Sequence, residues 1–232
     1  MTPTPSPDAV CNIAAALPGL AAQAPGRIAM RCPGSRGAGG LARYDVTLTY
    51  AELDRRSDAI AAGLARHGVG RGTRTVVMVR PSPEFFLLMF ALFKAGAVPV
   101  LVDPGIDKRA LKQCLDEAQP EAFIGIPLAQ AARLLLRWAR SAGKVVTVGR
   151  RWFWGGVTLA QVEAAGAGAG PQLAATAPDD TAALLFTSGY VSNQTGIATI
   201  ARLLPGCLIL SDALNHNSMI EGVRQSGCDK LV

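Results

Sequence analysis

Thr181-Ala-Ala-Leu-Leu-Phe-Thr-Ser-Gly189 is an apolar run that ends abruptly in two hydroxyls and a glycine. Ala183 to Phe186 have the composition of a strand covered on both faces, and Thr187, Ser188 and Gly189 then offer hydroxyl and backbone N–H donors where the strand stops. A strand opening into such a turn suits an anion of phosphate size. Ser188 is not set in a Gly-x-Ser-x-Gly pattern, so it reads as a phosphate donor or strand terminator and not as a nucleophile.

Upstream, strand and helix patterns alternate. Thr75 to Val79 and Val98 to Val102 are short apolar strands, and between them Pro81-Ser-Pro83 feeds a helix from Glu84 to Ala95 that stops at Gly96. Two strands joined by a helix make a βαβ unit, which implies a parallel sheet. The pattern continues with helix Lys108 to Ala118, strand Ala122 to Ile126, helix Leu128 to Arg140 and strand Lys144 to Val148, the mark of an α/β domain. Nearer the start, Thr49-Tyr-Ala-Glu52 is a capping box that opens a helix ending at His67-Gly68, where His67 caps the helix and is not a catalytic base. Residues 9 to 24 carry a helical stripe interrupted at Pro18, which predicts a kink or a break. Ile28 to Arg31 and Tyr44 to Leu48 predict a hairpin around the glycine-rich loop 33 to 40. Asp103, Asp107, Asp179 and Asp180 sit in turns or at helix starts, where N-capping accounts for them.

Residues 163 to 178 are rich in alanine and glycine and predict a mobile spacer. Beyond Gly189, the pattern is helix Val191 to Leu204, strand Cys207 to Leu210 and helix Leu214 to Gln225, with no further strand for the last helix to serve. The fold class is therefore α/β, a mostly parallel sheet with covering helices and an appended α-β-α tail.

Half of the 232 residues are apolar, enough for a sizeable core, and the net charge is +6. The cations Arg133, Arg137, Arg140, Lys144, Arg150 and Arg151 cluster, but Trp152, Phe153 and Trp154 are bunched and not interleaved with them, which argues against a nucleic-acid face. Five cysteines without CxxC spacing indicate neither a disulfide framework nor a zinc site, and fit a reducing cytoplasm. No run reaches the length of a membrane span, and the first residues lack the pattern of a secretory leader.

Thr49-Tyr-Ala-Glu-Leu53, Lys94-Ala-Gly-Ala-Val-Pro-Val-Leu-Val-Asp-Pro104 and the strand into Thr187-Ser-Gly189 follow one another in the order used by the acyl-adenylating superfamily (AMP-binding, acyl-CoA synthetase-like). The chain resembles that superfamily from Cys11 to Gly189, and Gly105-Ile-Asp-Lys-Arg-Ala-Leu111 inclines the likeness to its olefin β-lactone synthetase branch. The resemblance implies ATP and Mg²⁺, a carboxylate converted to an acyl-adenylate, and Thr187, Ser188 and Gly189 as part of the ATP phosphate loop. In the β-lactone branch a 3-hydroxy group then closes onto the carbonyl and releases AMP. Here the loop continues Tyr190-Val-Ser-Asn-Gln-Thr-Gly196, in place of the family's further Ser/Thr-Thr-Gly and Lys-Gly. The adenine and ribose elements, the Mg²⁺-binding acid and the lid lysine follow this loop in the family and have no counterpart in the sequence.

Phe186-Thr-Ser-Gly-Tyr-Val-Ser-Asn193, Leu203-Leu-Pro205, Ser211-Asp212 and Asn215-His-Asn-Ser-Met-Ile-Glu-Gly222 resemble a different family, the pyridoxal-phosphate-dependent α-oxoamine synthases of the 5-aminolevulinate synthase type. That likeness implies pyridoxal phosphate touched by Ser188, Gly189 and Tyr190, with His216 stacked on its ring. The Schiff-base lysine and the aspartate partner of the ring nitrogen are missing. The two resemblances overlap at Leu185-Phe-Thr-Ser-Gly189.

These features predict a chimera. Residues 1–189 form a partial AMP-binding domain, the incomplete N-terminal part of an adenylate-forming fold, and residues 190–232 form a fragment of the pyridoxal-phosphate type. The leading expectation is a piece of an ATP-dependent acyl-adenylating ligase for fatty or 3-hydroxy fatty acids, inactive as it stands. A pyridoxal-phosphate acyltransferase fragment and a non-catalytic α/β binding domain are the alternatives. No catalytic residue or metal ligand is nominated, and neither cofactor is expected to be fully bound. The expected partners are a small acyl substrate and, through apolar surface, a second copy of the chain, with no nucleic acid and no membrane span.

Overall fold

The computed structural model describes residues 11–37, 39, 41–103, 106, 108–186, 208–210, 223–224 and 229–231. Two compact units result: Met1–Leu101 with Lys112–Leu184, and Val102–Leu111 with Leu185–Val232.

The first unit begins with α1 (Ala16–Gln23). Pro18 falls in its first turn, where a missing N–H forfeits no intrahelical bond, so the proline starts the helix and does not kink it. Strands β1 (Ile28–Cys32) and β2 (Val46–Thr49) form the expected antiparallel hairpin. Helix α2 (Tyr50–Arg66) carries the predicted capping box: the Glu52 N–H donates to Thr49 Oγ1 at 3.2 Å and the Thr49 N–H donates to Glu52 Oε2 at 2.9 Å. His67 caps its far end, and Gly68 follows at φ +76°, a conformation that favours glycine.

Next come β3 (Arg74–Met78), α3 (Pro83–Lys94), β4 (Val98–Val102), α4 (Lys108–Ala118), β5 (Ala122–Gly125), α5 (Pro127–Leu136) and β6 (Lys144–Thr147). The remaining elements are β7 (Val157–Thr158), α6 (Leu159–Ala165), β8 (Leu184–Phe186), β9 (Leu208–Leu210) and β10 (Asp229–Leu231). The main sheet has the order β7-β6-β5-β3-β4-β8, with parallel pairing from β7 through β4. The order reverses about β3, since β4 lies on one side of it and β5 on the other. The boundary between the units falls inside β4 and β8.

The core is built where α2 and α3 meet the sheet. Leu53, Ile60 and Leu64 of α2 and Leu87, Leu88 and Leu92 of α3 pack with Val77 and Ile124 from the strands. Each such side chain contributes about 1.5–3 kcal/mol of burial.

Three further expectations are corrected. Helix α5 ends at Leu136 and not at Arg140, because Arg137 (φ 54°) and Ala139 (φ 46°) enter the left-handed region and turn Trp138 inward to a buried position. The spacer beginning at residue 163 is not loose. Its first residues end α6, and its later ones are tied down by the Gln172 N–H to Asp58 Oδ1 (3.0 Å), the Ala174 N–H to Lys94 O (2.7 Å) and Asn12 Nδ2 to Ala174 O (3.1 Å). A strand does follow the last helical residues: β10 pairs in parallel with β9, Lys230 opposite Ile209. The helix expected over 191–204 lies outside the described residues, and of the one expected over 214–225 only Val223 and Arg224 are described, both helical.

Candidate functional site

In the second unit, β4 and β8 finish side by side. The N–H of Asp103, one residue past the end of β4, donates to the carbonyl of Phe186, the last residue of β8, at 2.9 Å. The Ile106 N–H in turn donates to Asp103 O at 3.1 Å. Ligands of open parallel sheets bind outside the carboxyl ends of strands, and β8 delivers the chain there with a hydroxyl-rich sequence to follow. Thr187, Ser188, Gly189 and Tyr190, which continue from that end, and His216 lie outside the described residues, as does Asp107. The fit of ATP is partial on the chemistry of the donor set. Three residues able to donate to phosphate are present, whereas the loop lysine is replaced by Tyr190-Val-Ser-Asn-Gln-Thr-Gly196. Among the described residues no group of three or more His, Cys, Asp or Glu side chains is gathered as a metal site.

In the first unit, a depression of about 400 Å³ opens at the opposite, amino ends of β3 and β4, lined among others by Arg71, Arg74, Glu121 and Asp180. Arg71 Nη2 donates to Asp180 Oδ2 at 2.7 Å. The carboxyl of Asp180 is held below its ordinary range first by the N–H of Ala177 and then by Arg71. Asp180 therefore closes a turn onto residue 177 and does not cap a helix. Gly96, just past α3, also lines this depression. The carbonyl end of a helix is unfavourable to phosphate, and the arginine nearest the turn is already paired. The carboxyl end of β8 is the better candidate.

Sequence reasoning missed the most buried charge among the described residues. Lys94, at the end of α3, has a side chain with no solvent exposure and donates to Asp54 Oδ1 (2.6 Å), Asp54 O (2.9 Å) and Asp58 Oδ1 (2.7 Å). All three ammonium protons thus have acceptors. Asp58 also accepts from the Gln172 backbone, so one cluster joins α2, α3 and the segment leading to β8. Asp54 and Asp58, four apart on α2, were the legible half of the signal. Helix α6 was missed as well, although Thr158 and Gln161 repeat the capping-box spacing that revealed α2.

The AMP-binding enzyme model matches residues 19–196, and the aminotransferase class I and II model matches residues 169–232. The olefin β-lactone synthetase of Xanthomonas campestris is 77% identical over 188 residues, covering 81% of this chain and 34% of that protein. The 5-aminolevulinate synthase of Bradyrhizobium diazoefficiens is 84% identical over 51 residues, 22% of this chain and 12% of that protein. Among solved structures, the Mycobacterium smegmatis MbtA apo structure is similar at 26% identity with a TM-score of 0.59, over 96% of this chain and 44% of that one. The chain spans about a third of the length of the olefin β-lactone synthetases it matches. Both resemblances read from the sequence are thus present, the first over most of the chain and the second over its C-terminal segment. Among the described residues no helix is long and apolar enough to cross a membrane.

Proposed function

The chain belongs to the AMP-binding enzyme family, and we propose that residues 1–189 are the N-terminal part of an ATP-dependent acyl-adenylating ligase of the β-lactone synthetase type, acting on fatty or 3-hydroxy fatty acids. One observation carries this reading: β8 ends beside Asp103 of the Lys94–Pro104 motif through the 2.9 Å hydrogen bond to Phe186, and the next residues are Thr187-Ser-Gly189. When bound, ATP would supply the adenylyl group and its Mg²⁺ would screen the phosphates. The chain's own part is to offer the Thr187 and Ser188 hydroxyls and the Gly189 N–H as phosphate donors. Residues 190–232 form the second domain of this reading, a segment of the pyridoxal-phosphate type joined within Leu185–Gly189, so the chain is a chimera. Loss of a single donor to developing charge commonly costs ~10²–10³ in rate. With the loop altered from Tyr190 onward, the chain as it stands releases no pyrophosphate.

The test is pyrophosphate exchange into ATP with 3-hydroxy fatty acids. The unaltered chain should stay at the no-enzyme level. Joining residues 1–189 to the segment that follows the same loop in the Xanthomonas campestris relative should restore exchange. A folded hybrid without exchange would remove the ligase reading. Exchange by the unaltered chain would remove the argument from the loop.

A further inference from the structure

We propose that α5 and the loop after β6 form a docking face for the surface of a bilayer containing anionic lipids. Helix α5 leaves the carboxyl end of β5, and residues 149–153 leave the carboxyl end of β6, its parallel neighbour. The Val148 N–H donates to Gly125 O at 2.9 Å, and a Cβ on Gly149 would stand 3.9 Å from Pro127 Cδ, so the loop starts beside the first turn of α5. Leu128 (66% exposed) and Leu135 (82%) are seven apart and share one side of the helix. Leu134 and Leu136 flank Leu135 and are exposed too. At the loop, Trp152 (55%) and Phe153 (82%) project into solvent.

These aromatics are held in place. Their rings lie 5.3 and 5.2 Å from that of Trp154, which is buried and donates through Nε1 to Thr147 Oγ1 at 2.9 Å. A prearranged apolar tip loses little side-chain freedom on insertion.

Along the stretch of chain that carries the leucines and aromatics, the charge has one sign. Residues 122–162 contain six cations and no acidic side chain. The flanking Glu121 and Glu163 are engaged by Lys144 (3.2 Å) and Arg56 (2.7 Å). Arg137, Arg140, Arg150 and Arg151 are exposed and form no ion pair among the described residues. Exposed leucines and an aromatic pair, followed or preceded in the chain by exposed arginines, match the acyl boundary below an anionic headgroup layer. Nucleic acid would leave the leucines without a partner. With 10 residues, α5 lies on such a surface and does not cross it.

The test uses the full chain with phosphatidylcholine vesicles, with and without phosphatidylglycerol, read by flotation and tryptophan emission. Trp138 and Trp154 are buried, so Trp152 reports insertion. The chain should float with the anionic vesicles, shift its emission to the blue, and release as salt is raised. Leu135→Gln with Phe153→Ser should weaken binding at least about tenfold, and Arg150→Gln with Arg151→Gln about fivefold per arginine. All four side chains are exposed, and unchanged circular dichroism verifies folding. Any of three results overturns the proposal: no flotation with anionic vesicles, equal binding to neutral and anionic vesicles, or RNA binding or a dimer lost with Leu135→Gln while vesicles go unbound.

Discussion

Replacing Lys94 by methionine keeps the length and volume of a side chain that is wholly enclosed, but removes its charge. Three hydrogen bonds are lost at once, two to carboxylates and one to the Asp54 carbonyl. Asp54 and Asp58, with side chains 19% and 11% exposed, then face an apolar thioether. Stranding a buried charge in this way costs roughly 3–5 kcal/mol, a large part of the ~5–15 kcal/mol that holds a domain together. For a chain of this size the melting temperature should fall by about 6–20 °C. Adding Asp54→Asn and Asp58→Asn to Lys94→Met should recover most of the loss, because no charge remains stranded. Urea unfolding followed by the emission of Trp138 and Trp154, both buried in the same unit, measures each variant. A loss below about 1 kcal/mol for Lys94→Met, the worth of an exposed ion pair, would refute the argument.

Gly63→Ala should also destabilise, since its Cβ would stand 1.9 Å from the Val162 carbonyl oxygen and force α2 and α6 apart. Overpacking of this kind costs about 1–3 kcal/mol, and an unchanged urea midpoint would show that the helices can separate freely. The Glu52 carboxyl is held below its ordinary range by the Thr49 N–H and then by the Thr49 hydroxyl. Because the folded form is depressed, its contribution is complete above the unfolded carboxylate pKa and is lost as pH falls through the folded one. Glu52→Gln should therefore flatten the acid limb of stability against pH, and a parallel limb in the variant would contradict it. Pyridoxal phosphate should form no aldimine with the chain. The one lysine after the shared turn, Lys230, is placed in β10 opposite Ile209, and a Schiff base needs an amine poised over the cofactor. A borohydride-fixed adduct on Lys230 would overturn this expectation.

The sequence alone was sufficient for features whose causes lie within a turn or two of chain. The Thr49–Glu52 box sets the start of α2, Val98 to Val102 is a strand by composition, and the repeated strand-helix order implies a parallel sheet. The words around Lys94–Pro104 and Thr187–Gly189 announced the family, and those from Phe186 to Gly222 announced the second resemblance. For the candidate site, sequence nominated Thr187, Ser188 and Gly189 as the donors of the proposed function. Only the structure set the end of β8 against Asp103, far away along the chain. Strand order about β3 was also decided by packing, because each apolar strand reads alike in isolation. The same holds for the early stop of α5, where burial of Trp138 outweighs helical continuation, and for α6, whose alanines look like a spacer until Gly63 and Gly166 let its backbone approach α2 closely. The Lys94 cluster joins residues 36 and 40 positions apart, and its link to Gln172 spans 114. Charges so distant in sequence meet only after the helices bearing them have packed, and burial then makes their pairing obligatory.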